Sequence, residues 1–224
     1  MSRRRKQISG HPAKRALIRD TPPMSPLERA AAATPVLRGL RGLAEWLGEG
    51  VAVTATGAPR PADVPALCAV FGIPAPAAPV RTATRVPELM SFWKVAKAAD
   101  VVRVRGRRAR LGEGLTGDAL ETWRNAFVRT VDGDDEEFIE GAEGGALVAL
   151  QVLADLPARA QLDVAALDWM ISKAAEAECV TFDVAAGLDL LAFFGATVRS
   201  GPRVALSPLG GHLIALLHEQ AAAR

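Results

Sequence analysis

Val101-Val102-Arg103-Val104-Arg105-Gly106-Arg107-Arg108-Ala109-Arg110-Leu111 is the stretch from which the rest of the chain is read. Two β-prone runs meet at a glycine, the pattern of a hairpin. Side chains alternate faces along a strand, so Arg103 and Arg105 share one face and Val102 and Val104 the other. Beyond the turn, Arg108 and Arg110 share a face, and Ala109 and Leu111 oppose them. Four arginines are therefore expected on one surface of a thin ribbon, with the aliphatic residues packed beneath.

Upstream, residues 86–99 read as a helix. Leu89, Phe92, Trp93 and Ala96 form its apolar stripe, and Lys94 and Lys97 lie on another side. Residues 74–85 are a Pro/Ala-rich loop. Before it, Asp63 starts a helix carrying Val64, Leu67, Cys68, Val70 and Phe71, closed by Gly72. Val51-Ala52-Val53-Thr54 is a short β-prone run. Residues 35–50 read as a helix built on Leu37, Leu40, Leu43 and Leu47, with Thr34 as cap and Pro35 in its first position. Residues 1–34 read as a disordered basic arm broken by Pro12, Pro22, Pro23 and Pro26, with a short Ala-rich helix near 27–33.

Downstream, Thr116 is expected to cap a helix over 117–130 that carries Leu120, Trp123, Phe127 and Val128. Asp132, Asp134, Asp135, Glu136, Glu137, Glu140 and Glu143 then follow with no base among them, which predicts a solvated linker. The pattern of the first half returns after it. A helix spans 143–156. Asp163 caps a second, with Val164, Leu167, Met170, Ile171 and Ala174 apolar, and Asp183 starts a third, closed by Gly195. Residues 197–206 form another hairpin, and Ser207 with Pro208 opens a last helix.

The order helix, short strand, helix, helix, hairpin over about 35–111 resembles the winged-helix family of helix-turn-helix domains. The run Val204-Ala205-Leu206-Ser207-Pro208-Leu209-Gly210 is similar to the wing-to-helix passage of many winged-helix regulators. The resemblance implies a mainly α fold with short β-hairpins (α+β), in which two tandem winged-helix-like modules follow the arm. The expected divisions are 1–34, arm; 35–111, first module; 112–141, helix plus acidic linker; 142–224, second module. Two departures stand out. The loop between the second and third helices of the first module is long. Its third helix is also poorer in Asn, Gln, Ser and Arg than a base-reading helix. Separately, Ser9-Gly10-His11-Pro12-Ala13-Lys14-Arg15 resembles the opening of some phage small-terminase proteins.

Charge gives this organisation a direction. The chain has 27 Lys+Arg and 25 Asp+Glu, a net of +2. Residues 1–20 hold 7 basic and 1 acidic side chain, residues 21–111 hold 13 and 6, and residues 112–224 hold 7 and 18. A basic first half with an arginine-rich hairpin points to duplex DNA, whose phosphates it would neutralise. The expected contacts are Arg3, Arg4, Arg5, Lys6, Lys14 and Arg15 of the arm, Lys94 and Lys97 of the third helix, and Arg103, Arg105, Arg107, Arg108 and Arg110 of the hairpin. Other readings of the hairpin are a solvated face or one paired with the acids of 132–143. The acidic half is expected to meet a protein partner or a second copy. The rival function is a protein-interaction adaptor whose modules do not read DNA.

Several classes are excluded by what is missing. Cys68 and Cys179 are too far apart for a zinc motif or a disulfide framework. His212 and His218 lack the i, i+4 spacing of a metal pair. No phosphate-binding glycine loop, nucleophile elbow or placed carboxylate pair occurs, so neither an enzyme nor a cofactor is expected. No apolar run follows Arg3-Arg4-Arg5-Lys6 as in a secretory leader, and no run is long enough for a membrane span, so a cytoplasmic protein is expected. Trp46, Trp93, Trp123 and Trp169 lie among apolar residues at helical spacing and are expected in the core.

Overall fold

A computed structural model describes residues 24–131, 141–157, 160–178 and 180–222. The described residues are mainly helical, with two three-stranded antiparallel sheets. Helix α1 (Pro26–Ala32) leads into α2 (Pro35–Leu47), strand β1 (Val51–Ala52), α3 (Val64–Phe71), α4 (Pro87–Ala98), β2 (Val102–Arg105), β3 (Arg108–Leu111) and α5 (Ala119–Val131). The second half follows with α6 (Gly141–Ala154), β4 (Leu162–Asp163), α7 (Val164–Glu178), α8 (Val184–Phe193), β5 (Thr197–Ser200), β6 (Arg203–Leu206) and α9 (Pro208–Ala222).

The two halves repeat each other down to single backbone hydrogen bonds. Their sheets have the orders β1-β3-β2 and β4-β6-β5. Val51 lies opposite Ala109 as Leu162 lies opposite Val204. Val53 N–H donates to the Arg107 carbonyl at 3.0 Å, and Val164 N–H to the Pro202 carbonyl at 2.8 Å. Gly112 N–H reaches the Val101 carbonyl at 3.0 Å, and Ser207 N–H the Ala196 carbonyl, also at 3.0 Å. Both hairpins turn at a glycine in the left-handed region, Gly106 (φ 60°) and Gly201 (φ 59°), where a Cβ would be strained.

Local chemistry accounts for the helix ends. Ser25 and Glu28 close a capping box on α1. Thr34 accepts from Leu37 N–H at the start of α2, and Asp183 from Ala186 N–H at 2.9 Å at the start of α8. Ser207 accepts from Gly210 N–H at 3.1 Å and donates to the Gly195 carbonyl at 2.6 Å, tying α9 to the end of α8. The cap of α5 is Asp118, which accepts from Glu121 N–H at 2.8 Å; Thr116 instead donates to the Glu113 carbonyl. An aspartate two residues nearer the apolar run takes the role expected of Thr116.

The region read as an arm up to residue 34 is part of the fold from Ser25 onward. Ala31 and Thr34 are buried, and α1 packs against α5 and α9. Small alanines let this short helix lie close to its neighbours, so few large apolar side chains are needed. Helix α5 is also a core element: Trp123 and Phe127 are fully buried. Burying side chains of this size contributes about 2–3 kcal/mol each.

One continuous core joins the halves. Trp123 Nε1–H of α5 donates to the Phe194 carbonyl at 2.7 Å, and Trp93 Nε1–H of α4 to the Gly57 carbonyl at 3.1 Å. Phe92 of α4 packs on Phe193 of α8 with ring centroids 4.1 Å apart. Within the second half α6 and α8 touch backbone to backbone through Gly145 and Gly187. Trp93 and Trp123 are core residues and Trp46 is half-buried, but Trp169 is 64% exposed and Met170 is exposed beside it. Helix α7 carries apolar residues on more than one side; among its described side chains Leu167, Ile171 and Ala175 are buried and Val164 is half-buried.

Candidate nucleic-acid interface

The hairpin forms where the period-2 alternation of Val and Arg meets a glycine able to adopt a positive φ. Its register sets Arg103 directly opposite Arg110 and Arg105 directly opposite Arg108. All four are exposed, while Val102 and Ala109 are buried beneath them and Val104 is half-buried. Leu111 departs from the expected inward pattern. It is exposed at the end of β3 and joins the four arginines in lining a shallow cleft of about 480 Å³.

Like charges placed directly across a ladder repel, and the protein compensates them unevenly. Arg103 Nε and Nη2 donate to the two carboxylate oxygens of Asp100 at 2.6 and 2.7 Å, and its Nη1 donates to Glu113 at 3.0 Å. The guanidinium holds the Asp100 carboxyl below its ordinary range, helped by a hydrogen bond from Glu113 N–H. The same contacts make Arg103 a still weaker acid. Arg108 donates to the Gly50 carbonyl at 3.3 Å. Among the described residues no carboxylate lies within 4 Å of Arg105, Arg107, Arg108 or Arg110.

Charge pairing at the hairpin is thus real but local. Asp100 and Glu113 flank the ribbon and engage one arginine of the four. Glu143, at the end of the acidic stretch, pairs instead with Lys94 at 3.3 Å; residues 132–140 lie outside the described residues. Asp100 was legible as a partner, since it stands three positions before Arg103.

The two expected lysines are on α4. Lys94 lies in the cleft between α4, α6 and α8. Lys97 is exposed in the last turn of α4. Arg3, Arg4, Arg5, Lys6, Lys14 and Arg15 lie outside the described residues. In the second hairpin the positions matching Arg103, Arg105 and Arg110 hold Val198, Ser200 and Ala205. Arg203 alone keeps an arginine at a matching place, and Arg199 is bound to Asp189 at 2.8 Å. The basic ribbon belongs to the first half alone.

No group of three or more His, Cys, Asp or Glu side chains placed to hold a metal occurs among the described residues, and none of their helices is long and apolar enough to cross a membrane. Comparison with protein-family models, with curated proteins and with solved structures finds no match.

Proposed function

We propose that the chain is a DNA-binding protein, a cytoplasmic transcriptional regulator built from two winged-helix-like modules, whose first hairpin is a wing laid against duplex phosphates. The single observation that carries this reading is the two-by-two arginine array, with Arg105, Arg108 and Arg110 exposed and without a carboxylate within 4 Å among the described residues. Mutual repulsion across the ladder is relieved when a polyanion approaches. The repeated element order and the matching sheet orders are what two winged-helix-like modules imply.

Helix α4 holds the position of a base-reading helix in such a module, yet Phe92 packs on Phe193 of α8 and Lys94 is bonded to Glu143. Its side chains are partly committed inside the protein. Contact through the ribbon therefore positions the protein on phosphate and carries little sequence information. Fluorescence anisotropy with two unrelated duplexes tests this. Similar affinity for both is expected, with a log–log salt slope of about −5 if five or six phosphates are neutralised. Absence of binding at low salt, or binding that ignores salt, refutes the proposal.

A protein-interaction adaptor is the second reading, favoured by the exposed Trp169 and Met170 on α7 and by the commitment of α4 to α8. Co-purification with one fixed protein and an absorbance spectrum free of nucleic acid supports it over DNA binding.

A further inference from the structure

Where the two halves meet, α4, α6 and α8 enclose a cleft of about 470 Å³. That volume falls in the range of small-molecule sites. Phe92 and Phe193 line it with rings inclined at 31°, and Val95 and Leu190 extend the apolar wall. Its rim is charged. Lys94 is paired with Glu143 at 3.3 Å, and Asp189 with Arg199 at 2.8 Å, so each of these two carboxylates has a cation beside it. Glu88 also lines the cleft, and no cation lies within 4 Å of it among the described residues. Among the described residues, Glu88 is thus the surplus carboxylate of the rim, with no cation beside it, above apolar walls.

We propose that this cleft binds a small organic monocation with an apolar or aromatic body. The wall of Phe92, Phe193, Val95 and Leu190 buries an apolar body, and Glu88 at the rim supplies the counter-charge to a cation. An anion of the same shape meets the surplus carboxylate instead. The proposal rests on the cleft and not on DNA binding.

Calorimetric titration of the full chain with tetraphenylphosphonium and with tetraphenylborate tests it, because these ions share a shape and differ in sign. At physiological ionic strength the phosphonium should bind at a single site, roughly ten-fold tighter than the borate. Glu88→Gln should narrow that ratio. Ser91→Trp and Ala186→Trp, each placing a large ring in the cleft, should abolish phosphonium binding while thermal melting stays cooperative. Should Ala186→Trp fail to fold, Ser91→Trp at the exposed rim decides. Equal or tighter binding of the borate, no heat with either ion, or phosphonium binding that survives the filling substitutions overturns the proposal. So does a concentration-dependent dimer dispersed by Ser91→Trp, since a second copy then occupies the cleft.

Discussion

Asp100 and Gly195 stand at the same point of the two halves, each just past a helix and each in the left-handed region, with φ of 56° and 67°. The next amides, of Val101 and Ala196, reach back to the carbonyls of Ala96 and Leu191 at 2.9 and 2.8 Å. Glycine adopts this conformation without strain; aspartate does so at a cost offset here by Arg103. Asp100→Gly and Asp100→Ala both lose the ion pair and differ chiefly in backbone strain. The glycine variant should be the more stable by about 1 kcal/mol in denaturant titration. The Asp100 carboxyl is held below its ordinary value, so its stabilising effect is full above that value and is lost as pH falls through the lowered one. Thermal melts at falling pH should therefore show a steeper acid loss for the wild type than for Asp100→Asn.

The arginines of the ribbon should divide by function. Replacing Arg105, Arg108 and Arg110 with Ala should reduce the magnitude of the DNA-binding salt slope by about 3, near 0.9 for each phosphate released. Arg103→Ala should leave the slope nearly unchanged, because Asp100 and Glu113 already take up its charge. A larger effect of Arg103 than of the other three would contradict the assignment.

Gly187 and Gly211 make a matched pair of opposite sign. A Cβ at Gly187 would lie 2.6 Å from the Gly145 carbonyl carbon and would also meet the Ala146 amide. Gly187→Ala should part α6 from α8 and destabilise the protein by about 2 kcal/mol or more. A Cβ at Gly211 meets nothing within 4 Å, so Gly211→Ala in α9 should stabilise by about 0.5–1 kcal/mol. Chemical denaturation reads both.

Thr197 matches Val102 in the other hairpin, and its buried Oγ1 has no hydrogen-bond partner among the described residues. Thr197→Val keeps the shape and removes the unsatisfied hydroxyl. A gain of about 1 kcal/mol in unfolding free energy is expected.

Phe92 and Phe193 should behave as a coupled pair. Phe193 is buried, and its truncation to Ala should cost about 3 kcal/mol; half-buried Phe92 should cost less. A double-mutant cycle should return about 1 kcal/mol of coupling. Additive losses would mean that the rings meet without holding the halves together.

The local half of this protein was legible in its sequence. The Val/Arg alternation around Gly106 set the hairpin and its faces. Thr34, Asp183 and Ser207 announced the helices they cap, and leucine spacing marked the buried side of α2. These features depend on neighbours within a few positions, so periodicity and capping chemistry suffice to read them. The tertiary structure alone decided what covers each apolar stripe. The Leu167–Ile171–Ala175 stripe of α7 is buried while Trp169 faces solvent, and two-residue β1 and β4 become third strands only by docking on the hairpins. Phe92 looked like core for its own half, yet it meets Phe193, a residue of the other half. A stripe records that a face must leave water. Which partner it meets depends on shape and on contacts spanning the whole chain, and for the same reason the cleft beside Phe92 has no signature in the sequence.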